Sequence, residues 1–179
     1  PPIVPDAMLD TYLAEAPRML QFLHDKTQVR YESLAHYPDY YSDLPGAKNG
    51  HRSLEPTPLM MSALGVDWHQ LRQTHHMMYL FDRIAFTQQE AQVLITRGAG
   101  WIGLTVRLLL QYALDIPWRF RTHRSRRMTN GCAGVARLRL SMMDRDMPLW
   151  LNTVMQSLVQ DDTGRVTGAV VKKKKKTLR

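Results

Sequence analysis

The segment Pro148-Leu-Trp-Leu-Asn-Thr-Val-Met-Gln-Ser-Leu-Val159, with Gln160-Asp-Asp-Thr-Gly164 and Arg165-Val-Thr-Gly-Ala-Val-Val171 after it, decides the fold. Its first part is rich in strand-forming residues, its second part has turn composition, and its third part alternates apolar and polar side chains. Two strands joined by such a turn predict an antiparallel β-hairpin. Thr177-Leu178-Arg179 reads as the beginning of a third strand, so residues 148–179 are predicted to form a small β-meander.

Residues 1–34 are predicted to form two helices and a strand. Asp6 suits the N-cap position of the first helix. Pro17 is predicted to kink or restart this helix, so that residues 18–26 form a second helical segment. Residues 29–34 alternate as a strand does.

The central region, residues 59–147, is predicted to be a helical insert. Thr87 and Glu90 form a capping-box pair that opens a helix at Gln88. The segment from Trp101 to Leu114 is apolar on almost all sides, which predicts a buried helix. Two further helices are predicted, a short one over 66–72 and a longer one over 131–143.

Between the first strand and this insert, residues 35–58 are predicted to form a long irregular loop. The segment holds four prolines and two glycines, a density of breakers typical of loops. It also contains Tyr37, Tyr40 and Tyr41, which favours a structured loop. A phenol can relay or donate a proton beside an apolar substrate; the alternative is that the three rings only anchor the loop by packing.

The composition is that of a globular protein, with 44% apolar and 22% charged residues, and predicts a packed core. The net charge of +8 arises from 24 Lys and Arg against 16 Asp and Glu. It is concentrated in the arginines of 119–127 and in Lys172 to Lys176. Such runs are usually solvated surfaces, but a basic module that binds nucleic acid or an anionic surface is the non-enzyme alternative.

Cysteine content and hydropathy bear on location. A single cysteine, Cys132, excludes an intrachain disulfide and predicts a reducing compartment, with the cytoplasm as the default. No apolar run approaches the roughly 20 residues that span a bilayer, and the N-terminal residues do not form a signal peptide. Because the first residue is not Met, we expect the native protein to extend beyond both ends.

One glycine motif offers a competing enzyme hypothesis. Gly98-Ala-Gly-Trp-Ile-Gly103 satisfies G-x-G-x-x-G and follows the apolar run 93–96, as in an NADP-binding short-chain dehydrogenase. Too little chain follows it for the repeated βαβ units of such a fold, and a join between two helices is the alternative. His75 and His76 lack metal-ligand partners at usable spacing, so no metal site is predicted.

Three segments near the C-terminus together resemble one family. They are Asn130-Gly-Cys-Ala-Gly-Val-Ala-Arg-Leu-Arg139, Pro148-Leu-Trp-Leu-Asn-Thr153 and Asp161-Asp-Thr-Gly-Arg-Val-Thr-Gly-Ala-Val-Val171. This order of small-residue turn, helix, strand and hairpin is similar to that of the flavoproteins that include fumarate reductase and the 3-ketosteroid dehydrogenases. A second resemblance, to the steroid dehydrogenase loop that reaches the substrate pocket, lies in Tyr37-Pro-Asp-Tyr-Tyr41, continuing through Pro45-Gly46 to Gly50-His-Arg-Ser-Leu-Glu-Pro56.

The resemblance implies a cofactor, a reaction and several site residues. The whole enzyme would bind FAD and remove hydride and proton from adjacent carbons of a small apolar ketone or steroid. Tyr40 matches the family tyrosine that supports the proton-abstracting tyrosine, and Tyr37 occupies the neighbouring aromatic position in the substrate pocket. The strand from Asn152 to Leu158 matches the one whose backbone meets the adenine, which points to Val154 and Met155 as cofactor-binding residues.

The same resemblance implies what this chain lacks. The family's Gly-rich FAD fingerprint is absent, so the fold class expected for 1–179 is α+β: a mostly helical body with a small antiparallel meander, one incomplete domain of an FAD-binding domain without its N-terminal Rossmann portion. We expect such a fragment to be inactive alone. Sheet edges left exposed would favour a homo-oligomer. Nucleic acid is not an expected partner, and no membrane span is expected.

Overall fold

The computed structural model describes residues 4–173 and 176–178. The chain divides into two compact units, Pro1–Arg145 and Asp146–Arg179. The first contains all five α-helices and three two-stranded sheets among the described residues, and the second contains one three-stranded sheet. Mixed helix with small antiparallel sheets is therefore confirmed as the architecture, while the assignment of 1–179 to one incomplete domain stays a prediction.

The first unit begins with a single long helix, α1 (Asp6–Lys26), in which Pro17 is an internal residue. The predicted restart at Pro17 was wrong. Proline removes only one backbone donor, and the helix continues on both sides of it. The N-cap is Pro5 rather than Asp6, which lies in the first turn, where its negative charge favours the helix dipole. None of the residues of α1 is buried.

Three of the other helices of this unit follow the predicted positions, and the short helix Ile116–Arg119 was not predicted. α2 (Gln88–Thr96) begins with the predicted capping box, since Thr87 accepts from the backbone N–H of Glu90 while the Glu90 carboxylate accepts from that of Thr87. Next come α3 (Trp101–Leu114), α4 (Ile116–Arg119) and α5 (Asn130–Met143). Two 3₁₀ helices, Met61–Gln70 and His76–Met78, precede them, and the first covers most of the short helix predicted at 66–72.

Helix α3 is not the buried helix that its composition predicts. Leu108 is its only buried residue, and several large apolar side chains on other faces are exposed. They are Ile102, Val106, Leu109, Leu110 and Leu114. The prediction was wrong because the composition of a helix shows which side chains it can bury, whereas burial of the whole helix requires packing partners on every side.

Three short antiparallel pairs hold the first unit together. β1 (Tyr31–Ser33) pairs with β2 (Leu54–Pro56), at the two ends of the loop that contains Tyr37 and Tyr40. β3 (Leu59–Met60) pairs with β6 (Arg127–Met128), and β4 (Tyr79–Leu80) pairs with β5 (Ile84–Ala85). The prediction of a helical insert over 59–147 did not include the strands β3 to β6, because strands of two residues are too short to show alternation.

The hydrophobic core packs α5 against the first 3₁₀ helix and α4. Its buried members are Met61, Leu64, Trp118, Met128, Ala133 and Ala136. Small residues on α5 permit this packing: a side chain on Gly134 would place its Cβ 3.2 Å from the Cγ of Pro56 in β2. The small-residue segment at 130–136 thus lets α5 approach the β1–β2 pair.

The second unit is the predicted meander. β7 (Thr153–Gln160) and β8 (Val166–Lys173) form the predicted hairpin, and β9 (Lys176–Leu178) pairs with β8 as the third strand. The turn is held by Asp161, whose carboxylate accepts from the backbone N–H groups of Thr163 and Arg165. Gly164 has φ +83°, a conformation that favours glycine.

Candidate functional site

The loop predicted at 35–58 is shorter in the structure, because β2 occupies its residues 54–56. We call residues 35–53 the tyrosine loop, and β1 and β2 close its base. Just beyond the strands, Leu34 N–H donates to Ser53 O at 2.9 Å and His51 N–H donates to Leu34 O at 2.7 Å. Gly50 lies so close to the opposite backbone that a Cβ would be 1.9 Å from Ala35 O. Only glycine fits there. The segment 50–56, which is part of the resemblance to the steroid dehydrogenase loop, therefore has a structural role at the base of the loop.

Inside the loop, Asp39 organises the backbone. Its carboxylate accepts from Lys48 N–H at 3.0 Å and lies 3.1 Å from Nε of Arg52. The Arg52 guanidinium also donates to Gly46 O at 2.6 Å. A loop tied by these contacts is structured, as the tyrosine content predicts.

Tyr37 and Tyr40, two of the predicted site residues, meet on this loop. Their hydroxyl oxygens are 3.3 Å apart, and their rings pack edge to face with centroids 6.4 Å apart. The hydrogen bond with Tyr40 and the proximity of its ionisable hydroxyl raise the pKa of Tyr37 above its ordinary value. Two phenols in this contact can exchange a proton through their hydrogen bond.

The two tyrosines differ in exposure. Tyr37 is half-buried and lines a cavity of about 70 Å³. The other lining residues include Leu34, which follows β1, and Gln92 and Val93, which belong to α2. Tyr40 is 89% exposed on an open concave surface that also includes Tyr41. The more exposed phenol is thus accessible to another group, while its partner is anchored by α2.

Two buried carboxyl groups lie where α2 meets the loop. Glu55 of β2 accepts from Gln88 N–H at 2.7 Å, and burial raises the pKa of its carboxyl. Burial also acts to raise the pKa of Glu90, but hydrogen bonds from Arg127 and from Thr87 N–H, with the charges of Arg127 and Arg107, lower it below its ordinary value. The same region therefore holds one carboxyl that favours protonation and one that favours ionisation.

Val154 and Met155, the predicted cofactor-binding residues, lie on β7 of the second unit. Both side chains are exposed, and they project from opposite faces of the strand because they are adjacent. Among the described residues β7 pairs only with β8, so it is an edge strand. Its backbone N–H and C=O groups that point away from β8 are therefore not used in strand pairing within the described part of the chain.

The glycine motif at 98–103 joins two helices. The run at 93–96 belongs to α2, not to a strand, and α3 begins at Trp101. Gly98 N–H donates to Val93 O, which closes the end of α2, and Gly100 has φ +80°. A dinucleotide fingerprint requires a preceding strand, so the structure does not favour the NADP-binding alternative.

Most of the arginine run is not a solvated basic face, contrary to expectation. Arg124 donates to the Asp82 carboxylate at 2.6 Å, and Arg127 donates to Glu90 at 2.7 Å. Arg126 Nε lies 3.2 Å from the Asp115 carboxylate. Sequence spacing gave no signal for these pairs, because each acidic partner comes from a different element.

Among the described residues, no group of three or more His, Cys, Asp or Glu side chains could hold a metal ion.

Comparison with known proteins agrees with the flavoprotein resemblance. The family model described as FAD binding domain matches residues 4–179. The chain belongs to this family of FAD-binding domains. The NADP and nucleic-acid alternatives gain no support from this match.

Among its relatives are bacterial 3-oxosteroid 1-dehydrogenases. That of Comamonas testosteroni is 32% identical over 90% of this chain and 28% of its own length. That of Mycolicibacterium smegmatis is 29% identical over 95% of this chain and 29% of its own length. The chain thus spans less than a third of these curated relatives.

A solved structure is similar over nearly the whole chain. It is the 3-ketosteroid delta1-dehydrogenase from Sterolibacterium denitrificans in complex with 1,4-androstadiene-3,17-dione, with 36% identity and a TM-score of 0.87. The match covers 98% of this chain and 32% of that one. The chain is therefore similar in fold to one region of a ketosteroid dehydrogenase.

Proposed function

We propose that this chain is the part of an FAD-dependent dehydrogenase that supplies a tyrosine pair to the active site, and that the whole enzyme desaturates a 3-ketosteroid or a similar apolar ketone. The observation that carries the proposal is the pairing of Tyr37 and Tyr40 on a structured loop. Membership of the FAD binding domain family supplies the cofactor class. The names of the relatives supply the substrate class.

Within this proposal the two phenols have different roles. Tyr40 presents its hydroxyl to the tyrosine that abstracts the substrate proton, because it is 89% exposed and free to meet a group from outside the loop. Tyr37 positions Tyr40 through the 3.3 Å contact between their hydroxyls and forms an apolar wall beside the substrate. Sharing a proton along such a chain lowers the cost of charge development on the abstracting tyrosine.

For FAD, the residues of β7 fit an adenine contact through the backbone. An edge strand offers alternate N–H and C=O groups, and this demands no particular side chain at Val154 or Met155. Bound FAD would accept the hydride from the substrate carbon adjacent to the one that loses its proton. The residues of this chain would orient the adenine end only.

Two apolar surfaces support a larger protein around the chain. The exposed apolar side of α1 includes Met8, Tyr12 and Met19, and that of α3 includes Ile102 and Leu110. Contiguous apolar surface on helices marks an interface. We propose that 1–179 is one incomplete domain, and that these helices pack against the Rossmann portion, which holds the FAD phosphates.

Two further points belong to the same proposal. Alone, the 179-residue chain would be inactive, and self-association would be the competing way to cover the exposed helices and the free edge of β7. The free thiol of Cys132, half-buried beside the core, suits a reducing, cytoplasmic location. No helix in the described part of the chain is long and apolar enough to span a membrane.

The test is steady-state kinetics of the protein expressed with its native flanking sequence. We expect Tyr40→Phe to reduce kcat on a saturated 3-ketosteroid by about 10²-fold or more, within the range of general acid–base contributions, with bound flavin unchanged. Tyr41→Phe is the matched control, because Tyr41 is an exposed tyrosine of the same loop. Equal kcat in the Tyr40 variant and the wild type would overturn the role of the pair.

A further inference from the structure

The first unit contains a second cavity, away from the tyrosine loop, which we call the arginine cavity. Its volume is about 160 Å³, and it lies among β3, β5, β6, α3 and α4. One wall is apolar and the other is charged. The apolar wall includes Met60, Ile84 and Leu108, and the charged wall includes Asp115, Arg119, Arg126 and Arg127.

The charged wall carries an excess of positive charge. Three arginines face one aspartate, and Arg127 is further offset by its bond to Glu90. Within the described part of the chain, Asp115 is paired with Arg126 only, through Nε at 3.2 Å. The cavity therefore retains a net positive charge after its internal ion pairs are counted.

Two arginines that line the cavity each have a buried donor without an acceptor. The Nε atoms of Arg119 and Arg126 are both buried without a hydrogen bond to any described residue. Arg126 Nε is near the Asp115 carboxylate but is not aligned to donate to it. Buried donors are nearly always satisfied in folded proteins, and these two belong to arginines whose side chains line the cavity.

The remaining groups of Arg119 explain why it cannot turn away to find water. Its Nη1 donates to His123 O and its Nη2 donates to Arg124 O, each at 2.9 Å. The guanidinium also lies over the Tyr112 ring, 4.0 Å from the centroid. These contacts fix the orientation of the positive charge beside the cavity.

From these observations we infer that the arginine cavity binds a small organic carboxylate. Its oxygens accept from the guanidinium groups of Arg119 and Arg126, and its short hydrocarbon part contacts Ile84 and Leu108. A guanidinium matches the planar carboxylate with parallel N–H donors. The apolar wall favours a carboxylate with a hydrocarbon body over inorganic phosphate. This site is independent of the proposed flavoenzyme reaction.

The test is an amide NMR titration of the protein expressed with its native flanking sequence, using sodium butanoate with ionic strength held constant by sodium chloride. We expect saturable shifts at Ser125, Arg126 and neighbouring amides, and none with butanamide, which has the same body without the charge. Arg126→Gln should weaken binding at least 10-fold. Arg121→Gln is the matched control, because Arg121 does not line this cavity, and it should bind as the wild type does.

Several outcomes would overturn the inference. One is equal weakening by the two arginine variants, which would show a general effect of net charge. Another is equal affinity for phosphate and butanoate, which would reduce the site to unselective anion binding. Unsaturated shifts spread over the surface, or no shifts, would exclude a bound carboxylate. An amide spectrum that resembles the wild-type spectrum shows that each variant is folded.

Discussion

Replacing Glu90 by glutamine should destabilise the first unit through a single buried charge. Glu90 is 8% exposed, and its carboxylate accepts from Arg127 at 2.7 Å, from Arg107 at 2.8 Å and from Thr87 N–H at 2.9 Å. The amide oxygen of glutamine can keep the bond to Thr87. It leaves the largely buried Arg127 without its counterion.

The magnitude follows from which contacts are lost. Removing one partner of a buried ion pair costs about 3–5 kcal/mol, and retention of the capping bond places the loss at about 3 kcal/mol. Arg107 adds little because its side chain is 57% exposed. Urea unfolding at pH 7 measures the loss as a lower midpoint with an unchanged slope.

The pH dependence provides a sharper check. The pKa of Glu90 in the folded protein lies below its ordinary value of 4.5. Its stabilising contribution is therefore complete above that ordinary value and is lost as the pH falls through the folded pKa. The difference between wild type and Glu90→Gln should shrink at acid pH.

Glu15→Gln is the matched control, since Glu15 forms an exposed ion pair with Arg18. It should change stability by less than about 0.5 kcal/mol. A loss at Glu90 as small as that of the control, or one of the same size at pH 7 and pH 4, would refute the reasoning about a buried ionised carboxylate.

Two further substitutions test other parts of the fold. Glu55→Gln should stabilise the protein at neutral pH, because burial raises the pKa of Glu55 and ionising this carboxyl costs stability, whereas glutamine stays neutral and still accepts from Gln88 N–H. In urea unfolding the gain in stability should vanish below pH 4.5, the ordinary pKa of the carboxyl. A loss of stability at neutral pH would contradict this prediction. Gly65→Ala should lower the free energy of unfolding by about 1–3 kcal/mol, because Gly65 has φ 56° and ψ −129°, a backbone region open essentially to glycine alone. The control is Gly103→Ala, since Gly103 has open space around it and no positive φ. An alanine variant at position 65 that melted at the wild-type temperature in calorimetry would contradict this prediction.

Local signals in the sequence predicted the elements that depend on local chemistry. The capping box at Thr87 and Glu90 fixed the start of α2, and turn residues at Asp161 and Gly164 fixed the meander. Elements that depend on distant partners were harder to predict. The exposed faces of α3 and the two-residue strand β6 are determined by what packs beside them, and the sequence pattern does not record this.

The candidate site divides in the same way. Tyr37 and Tyr40 are three residues apart, so their proximity could be inferred from the loop and from the family resemblance. The bond from Gln88 to Glu55 and that from Arg127 to Glu90 join residues 33 and 37 positions apart. Neither the buried carboxyl pair nor the arginine cavity has a periodicity or motif that could have revealed it.

The most direct test of the central claim is the absorption spectrum of the protein produced with its native flanking sequence. We predict bound flavin bands, which bleach when a saturated 3-ketosteroid is added without oxygen, because substrate oxidation reduces the cofactor. A colourless protein of full length, or a yellow one whose flavin no ketosteroid or related ketone reduces, would contradict the proposed function.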